Sequence, residues 1–246
     1  MLQLDPGRDR RDLRREHTPG RSGRWRPGRP VGTVRVTGGR MRIGVIGSGR
    51  IGGTLGRGLA AAGHEVTYGW RDPTKPVPDD LRHERGAVAP VAEAVGGADV
   101  VILSTPWAAA EAALTAITDF GGKPLLDCTN PIGPGLTLTH GHTDSGGEQV
   151  QRWAPTARVV KVFNTTGMEN MADPRYGEHA AAMLACGDDD DAVAVGVRLA
   201  TDLGFEALPF GPLKNARLLE PMALVWIDLA MVRGQGRGFA FGLLRR

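Results

Sequence analysis

A short apolar run that ends in a glycine-rich turn places the tightest constraint on the fold of this chain. Ile43–Ile46 has the pattern of a buried strand, Gly47, Gly49 and Gly52 follow in the spacing GxGxxG, and a helical pattern begins at Ile51. In such a unit the first glycine makes the tight turn, the second lets a pyrophosphate approach the backbone, and the third lets the helix pack on the strand. The N–H groups that begin the helix then face the phosphates. The sequence therefore predicts a dinucleotide-binding site.

Strand and helix patterns alternate along the chain from Met41 onward. This alternation predicts an α/β fold of Rossmann type, a doubly wound parallel sheet with a small C-terminal helical or α+β extension. We expect residues 41–165 to bind the cofactor and residues 166–246 to form a smaller second-substrate domain packed on them. Loops are expected at 70–85 and 132–147. The further predicted strands are 65–68, 99–104, 124–128, 158–163, 180–185 and 205–209, and the predicted helices are 51–62, 91–95, 108–117, 147–153, 189–203 and an apolar helix around 218–229, which Pro221 kinks or restarts.

The first 40 residues differ sharply in composition from the rest. They contain 11 Arg and 4 acidic residues, a net charge of +7, whereas the whole chain carries +3 and residues 41–246 therefore carry −4. A tail rich in Arg, Gly and Pro without apolar periodicity is expected to be disordered, and the mildly acidic remainder argues against nucleic acid as a partner of the folded domain. A twin-arginine signal lacks its apolar segment, and the acids with Pro27 and Pro30 argue against a transit peptide. An RNA- or phosphate-binding arm stays open beside the favoured interpretation, a non-functional extension before a start at Met41.

The remaining composition excludes several classes of site. Cys128 and Cys186 lie in apolar runs without metal-ligand spacing, which predicts two core residues in a reducing compartment. No apolar run approaches the about 20 residues that span a membrane, so we expect a cytoplasmic protein without a membrane partner. His140 and His142 form only a weak metal pattern, and a loop that closes over a second ligand is the preferred interpretation.

The end of the second predicted strand indicates which dinucleotide binds. A site for NAD carries an acidic residue there to bind the ribose 2′-hydroxyl. This chain instead reads Trp70-Arg71-Asp72, with Lys75 close behind. Arg71 and Lys75 suit the 2′-phosphate of NADP(H), and Trp70 is a candidate to pack on the adenosine. The alternative is that Arg71 is a surface residue paired with Asp72.

Motifs along residues 41–246 resemble the bacterial NADPH-dependent coenzyme F420 reductases, the F420:NADP oxidoreductases. The resemblance covers essentially all of this range and omits the tail. The segments that carry it are 47–52, 69–71 with Lys75, 104–107 (Ser-Thr-Pro-Trp), 160–165 (Val-Lys-Val-Phe-Asn-Thr), 186–189 (Cys-Gly-Asp-Asp), 211–220 and 238–241 (Gly-Phe-Ala-Phe).

The resemblance implies a role for each matched position. The nicotinamide side would be flanked by the turn after the 99–104 strand, and the F420 tail would meet Arg217 and Lys214, which are otherwise solvated cations at a helix end. Asn164 is a further candidate cofactor-binding residue, at a strand end around which some archaeal members carry His. The implied binding residues are Ser48, Gly49, Arg50 and Ile51 for the pyrophosphate, Trp70, Arg71 and Lys75 for the 2′-phosphate end, Thr105, Pro106 and Trp107 for the nicotinamide side, and Leu213 for the deazaflavin.

Taken together, these features predict an oxidoreductase that transfers a hydride between NADP(H) and coenzyme F420. The two cofactors carry the chemistry, so no catalytic side chain is expected. The alternatives are an NADPH-dependent imine or carbonyl reductase, with Lys214, Glu220 or His140 as proton donor, and a non-catalytic NADPH sensor. Asp127 and Lys161 are expected as buried ion-pair partners. The apolar last helix, with Trp226, predicts either a homodimer contact or the completion of the core.

Overall fold

The computed structural model describes residues 39–72 and 74–246, so the predictions for residues 1–38 lie outside the described residues. Within these ranges eight strands form one sheet, and four short strands form two separate ribbons. The strands are, in chain order, β1 (Arg42–Ile46), β2 (Glu65–Trp70), β3 (Gly86–Pro90), β4 (Val100–Leu103), β5 (Pro124–Asp127), β6 (Ile132–Gly133), β7 (Thr137–Leu138), β8 (Arg158–Lys161), β9 (Arg175–Tyr176), β10 (His179–Ala180), β11 (Ala182–Gly187) and β12 (Glu206–Pro209).

Helices follow most strands of the large sheet, and two of them begin at side-chain caps. The Ser145 hydroxyl accepts a hydrogen bond from the Glu148 N–H, and the Asp189 carboxylate accepts one from the Ala192 N–H. Both caps satisfy backbone donors that a helix start leaves unpaired. The helices are α1 (Arg50–Ala61), α2 (Val91–Gly96), α3 (Trp107–Thr115), α4 (Gly146–Trp153), α5 (Met168–Ala172), α6 (Asp190–Asp202) and α7 (Ala216–Ile227).

The large sheet has the strand order β12-β11-β8-β5-β4-β1-β2-β3. All neighbours pair in parallel except β8 and β11. The chain moves outward from β1 in both directions, which confirms the doubly wound α/β fold of Rossmann type. The carboxyl ends of β1, β2, β4, β5 and β8 therefore lie along one edge of the sheet, where ligands of such folds bind.

The antiparallel pairing of β11 with β8 is a departure from the fully parallel sheet that the alternation predicts. A parallel return needs a helix of useful length to cross the sheet face. The chain between β8 and β11 offers only the five-residue helix α5 and the β9–β10 ribbon. It therefore stays at the carboxyl edge and re-enters the sheet in the opposite direction.

Apolar side chains bury both faces of the sheet. Along β4, Val100 and Ile102 face a cluster that also contains Leu55 and Leu59 of α1. Val101 and Leu103 face the other cluster, under α2, α3 and α4. This alternation follows from the two-residue period of a strand. It explains why β4 reads as a continuous apolar run.

Several elements differ from the sequence predictions, and α5 and β9 are among those without a predicted counterpart. β3 was missed, because its sequence Gly-Ala-Val-Ala-Pro holds one branched side chain and it pairs only with β2 as an edge strand. The β6–β7 ribbon lies inside the predicted 132–147 loop. α7 begins at Ala216 and runs through Pro221 as one helix.

The C-terminal part extends the same sheet, since β11 and β12 follow β8 in the strand order. The division into a cofactor-binding part and a second-substrate part at residue 165 stays a prediction. Among the described residues, no helix is long and apolar enough to cross a membrane. Cys128 and Cys186 are buried free thiols, as predicted.

The last helix is apolar on two sides. Leu219, Ala223 and Trp226 are buried and so complete part of the core, whereas Leu218 and Val225 are exposed on the opposite side. A helix of this kind still has apolar surface to cover. The homodimer contact that the sequence predicts here stays a prediction.

Candidate dinucleotide-binding site

The turn between β1 and α1 requires glycine at two positions. Gly47 has a φ of +97°, and a Cβ at this residue would lie 2.6 Å from the Thr105 nitrogen. The Ser104 hydroxyl donates a hydrogen bond of 2.8 Å to the Gly47 carbonyl oxygen and holds the turn against the end of β4. A Cβ on Gly52 would overlap that same carbonyl oxygen. The first and third glycines therefore serve the turn and the packing, as the motif predicts.

The middle glycine faces open space. Gly49 is the N-cap of α1, and no heavy atom of the described residues lies within 4 Å of a Cβ placed on it. It has no side chain to cap the first N–H groups of α1, and no acidic residue lies in the first turn. Ser48 is half-buried, Arg50 is exposed, and Ile51 packs partly against the core. This surface offers backbone N–H donors to an anion.

A side chain at Gly49 should block ligand approach without disturbing the fold. We expect Gly49→Val to weaken NADPH binding by about tenfold or more, because the phosphates would lose contact with backbone donors. The free energy of unfolding should fall by about 1 kcal/mol or less. Calorimetric titration and urea denaturation measure the two effects.

Gly96→Val is the matched control, since Gly96 ends α2 and a Cβ there also meets open space. NADPH binding should be unchanged in that variant. Equal binding by the Gly49 and Gly96 variants would contradict a pyrophosphate site at this turn.

The segment after β2 folds back on itself at the same edge of the sheet. The Trp70 indole N–H donates to the Lys75 carbonyl oxygen at 3.3 Å. Asp72 accepts hydrogen bonds from the Thr74 hydroxyl and N–H, at 2.6 and 3.1 Å, and these bonds lower the pKa of Asp72. Lys75 Nζ lies 3.7 Å from the Asp72 carboxylate, and the Arg71 side chain is exposed. The one acid near this strand end is thus engaged within its own loop, beside two exposed cations.

The segment after β4 connects the carboxyl edge of the sheet to α3. Pro106 is the N-cap of α3, and the Thr105 hydroxyl oxygen is buried without a hydrogen-bond partner among the described residues. The Trp107 ring lies 5.1 Å from the Trp153 ring and 5.6 Å from the His140 ring, centroid to centroid. An aromatic wall therefore stands between α3, α4 and the loop that follows β7.

Two asparagines link the ends of β5 and β8. Asn130 donates to the Asn164 carbonyl oxygen at 2.9 Å, and Asn164 donates back to the Asn130 side-chain oxygen at 3.1 Å. Asn164 also donates to the Leu219 carbonyl oxygen in α7, at 3.2 Å. Sequence reasoning singled out Asn164 but not Asn130, whose only signal is its place directly after a buried strand.

A buried ion cluster lies beneath this pair. Lys161 Nζ is 2.7 Å from the Asp127 carboxylate, 2.9 Å from that of Glu220 and 2.8 Å from the Thr129 carbonyl oxygen. All three charged side chains are at most 1% exposed. The predicted pairing of Asp127 with Lys161 is confirmed, and Glu220 is a third member that pattern reasoning missed in this role.

The cluster also fixes α4. The Glu220 carboxylate accepts hydrogen bonds of 2.9 Å from the N–H groups of Gly146 and Gly147, the first residues of α4. Burial would lower the pKa of Lys161, but the charges of Asp127 and Glu220 outweigh it and raise the pKa above its ordinary value. The lysine is therefore a permanent cation that ties β5, β8, α4 and α7 together.

Other candidate groups have partners or positions that limit their roles. Arg217 forms hydrogen bonds with Glu148 at 2.6 and 2.8 Å, Lys214 is exposed, and Leu213 is 2% exposed and packs under α4. The contact of Leu213 with a deazaflavin, which the resemblance implies, stays a prediction. Burial raises the pKa of the Cys186 thiol to about 12, which excludes a thiolate nucleophile at neutral pH.

Comparison of the sequence with known proteins assigns this chain to a family. The family profile described as NADP oxidoreductase, coenzyme F420-dependent, matches residues 42–131, which hold β1 to β5. An F420-dependent NADP reductase from Methanothermobacter marburgensis is 32% identical over 210 residues, 77% of this chain and 92% of that protein. The chain belongs to the F420-dependent NADP oxidoreductase family.

Two further similarities show how varied the relatives of this chain are. A crystal structure of a candidate F420-dependent NADP reductase from Arthrobacter sp. FB24 superposes with a TM-score of 0.75 and 36% identity, covering 83% of this chain and all of that one. Metalloreductase STEAP3 from Rattus norvegicus is 29% identical over 185 residues, 74% of this chain. The chain spans 36% of the length of STEAP3. The relatives of this chain thus include proteins named for coenzyme F420 and one named for the reduction of a metal.

Proposed function

We propose that this protein transfers a hydride between NADP(H) and coenzyme F420, a deazaflavin. The observation that carries the proposal is the similarity to an F420-dependent NADP reductase along 92% of its length. The open surface at Gly49 supports a dinucleotide as the first ligand, because the turn is shaped for one.

In this proposal, different residues at the carboxyl edge bind different parts of NADP(H). Ser48 to Ile51 would bind the pyrophosphate, and Arg71 and Lys75 would pair with the 2′-phosphate while Trp70 packs on the adenosine. Thr105, Pro106, Trp107 and Asn164 would border the nicotinamide. When bound, NADPH supplies the hydride from C4 of its nicotinamide ring.

The chain contributes alignment and exclusion of water rather than a reacting group. The aromatic wall of Trp107, Trp153 and His140 covers the α3–α4 side of the edge. Burial raises the pKa of Tyr68 to about 12, and its hydroxyl is 3.1 Å from His83 Nε2, so it is not placed as a proton donor. A hydride transfer between two cofactor rings needs no such donor.

Mixing the purified protein with NADPH and F420 tests the proposal. We expect the absorbance band of oxidised deazaflavin to fall as NADPH is consumed. The imine or carbonyl reductase is disfavoured by Glu220, one of its candidate proton donors, because this carboxylate is held by Lys161 and the start of α4. Reduction of a cyclic imine without any change in F420 would overturn the proposal. Tight NADPH binding without turnover of either acceptor would instead identify a sensor.

A further inference from the structure

One buried acceptor at the carboxyl edge of the sheet lacks a donor within the part of the chain that the structure describes. Asn164 is 4% exposed, and its side-chain oxygen forms no hydrogen bond among the described residues. An unpaired buried acceptor is costly, and such an atom in a native structure requires an explanation. A ligand that brings an N–H group to this oxygen would supply one.

The orientation of the Asn164 amide follows from its partners. Its nitrogen donates to two acceptors, the Asn130 side-chain oxygen and the Leu219 carbonyl oxygen. Exchanging the amide nitrogen and oxygen would place the oxygen against the Leu219 carbonyl oxygen, which cannot donate. The unpaired atom is therefore the oxygen, and the nitrogen is fully used.

The backbone around Asn164 is held in an uncommon conformation. Phe163 has a φ of +63°, a region that bulky residues rarely adopt because it is strained. The Phe163 ring is buried and lies 6.2 Å from the Phe205 ring. Beside it, Leu219 precedes Glu220, which the Lys161 cluster locks in place. Asn164 is thus positioned by strain on one side and a buried ion cluster on the other.

The chain after Asn164 runs to the start of α1. α5 packs on α1. The hydrogen bond from Arg237 lowers the pKa of Glu169 in α5, and the charge of Arg50, the first residue of α1, adds to this effect. The 164–169 segment therefore leads from the end of β8 to a helix that packs on α1, whose first residues follow the Gly49 turn. Thr105, whose hydroxyl has no hydrogen-bond partner in the described ranges, follows β4, which lies between β1 and β5 in the sheet.

A dinucleotide on this sheet would extend from β2 across β1 toward β4, β5 and β8. Its adenosine end belongs at β2 and its pyrophosphate at the β1–α1 turn. The nicotinamide end then falls on the side of Thr105, Asn130 and Asn164. The nicotinamide carboxamide is a primary amide that offers two N–H donors and one carbonyl acceptor.

We infer that the Asn164 side-chain oxygen accepts a hydrogen bond from the carboxamide NH2 of NADP(H), while the Thr105 hydroxyl serves the carboxamide oxygen. This pairing would satisfy both buried atoms at once. It would also set the rotation of the nicotinamide ring, and so the face that its C4 presents. The inference rests on the proposed binding of NADP(H).

The test compares NADP+ with an analogue in which an acetyl group replaces the carboxamide. The analogue keeps the carbonyl oxygen and lacks only the NH2 donor. Calorimetric titration of the whole protein should show about tenfold weaker binding of the analogue. In Asn164→Ala this ratio should fall to about one, through weaker binding of NADP+. Binding of 2′,5′-ADP, which lacks nicotinamide, should be the same in both proteins.

Asn170→Ala is the matched control. Asn170 is a similarly buried asparagine at 3% exposure, but its nitrogen donates to Thr166 and Phe239 and its oxygen accepts from Tyr176. This variant should keep the tenfold ratio whatever its stability.

The outcomes separate the inference from the proposed function. If the unaltered protein binds both dinucleotides equally, or if Asn164→Ala keeps the ratio, the inference is overturned while binding of 2′,5′-ADP still supports an NADP site. The comparison of NADP+ with the acetyl analogue uses the unaltered protein, so its result does not depend on whether a variant folds. Failure of the unaltered protein to bind 2′,5′-ADP would overturn the proposed function as well.

Discussion

Replacing Lys161 with Met is expected to lower the free energy of unfolding by about 3–5 kcal/mol. The substitution removes the one cation that pairs with Asp127 and Glu220 among the residues that the structure describes, at a site where both carboxylates are buried. The two carboxylates would then face each other without a counter-charge, and Glu220 would hold α4 less firmly. Urea denaturation followed by circular dichroism measures the loss.

Two further variants establish the cause. Combining Lys161→Met with Glu220→Gln should recover part of the lost free energy, because it leaves one buried charge fewer. Lys214→Met changes an exposed lysine and should alter stability by no more than about 0.5 kcal/mol. A loss below about 1 kcal/mol in Lys161→Met would mean that water reaches the carboxylates and that the cluster is not sealed.

Reversing the charge of both Arg71 and Lys75 should abolish the preference for NADPH. Each cation that pairs with the 2′-phosphate contributes about 1.5–3 kcal/mol, so the double Glu variant should bind NADPH at least about 100-fold more weakly. NADH lacks that phosphate and should be affected far less. Titration of each nucleotide against both proteins gives the ratio of dissociation constants.

The control for net charge reverses two other cations, Arg82 and Lys123. Arg82 is exposed, and Lys123 precedes β5 at the opposite edge of the sheet. This variant carries the same charge change and should keep the preference for NADPH. If the Arg71/Lys75 variant retains the NADPH preference of the unaltered protein, then Arg71 is a surface residue and the NADP assignment fails.

Most of the sheet follows from short-range patterns. The apolar run of β4 and the strand–glycine–helix unit of β1 and α1 each carry their own signal within about a dozen residues. β3 carries no such signal, because an edge strand paired on one side needs few large apolar residues. The reversal at β11 depends on how far α5 and its neighbours can cross the sheet, which no local pattern encodes.

The residues of the candidate site likewise fall into those that the sequence predicts and those that it does not. Gly47, Gly49 and Gly52 can be identified from the sequence alone, since their spacing between an apolar run and a helical pattern is itself a local signal. The partners of Asn164 and Lys161 cannot, because Asn130, Asp127 and the α7 residues lie 34 to 59 positions away along the chain. Strand order brings these groups within hydrogen-bonding distance, and burial then makes their charges and unpaired atoms consequential. The sequence by itself determines local conformation, because consecutive residues set it. Only the tertiary structure decides which buried polar groups pair, because distant segments must first pack together and exclude water.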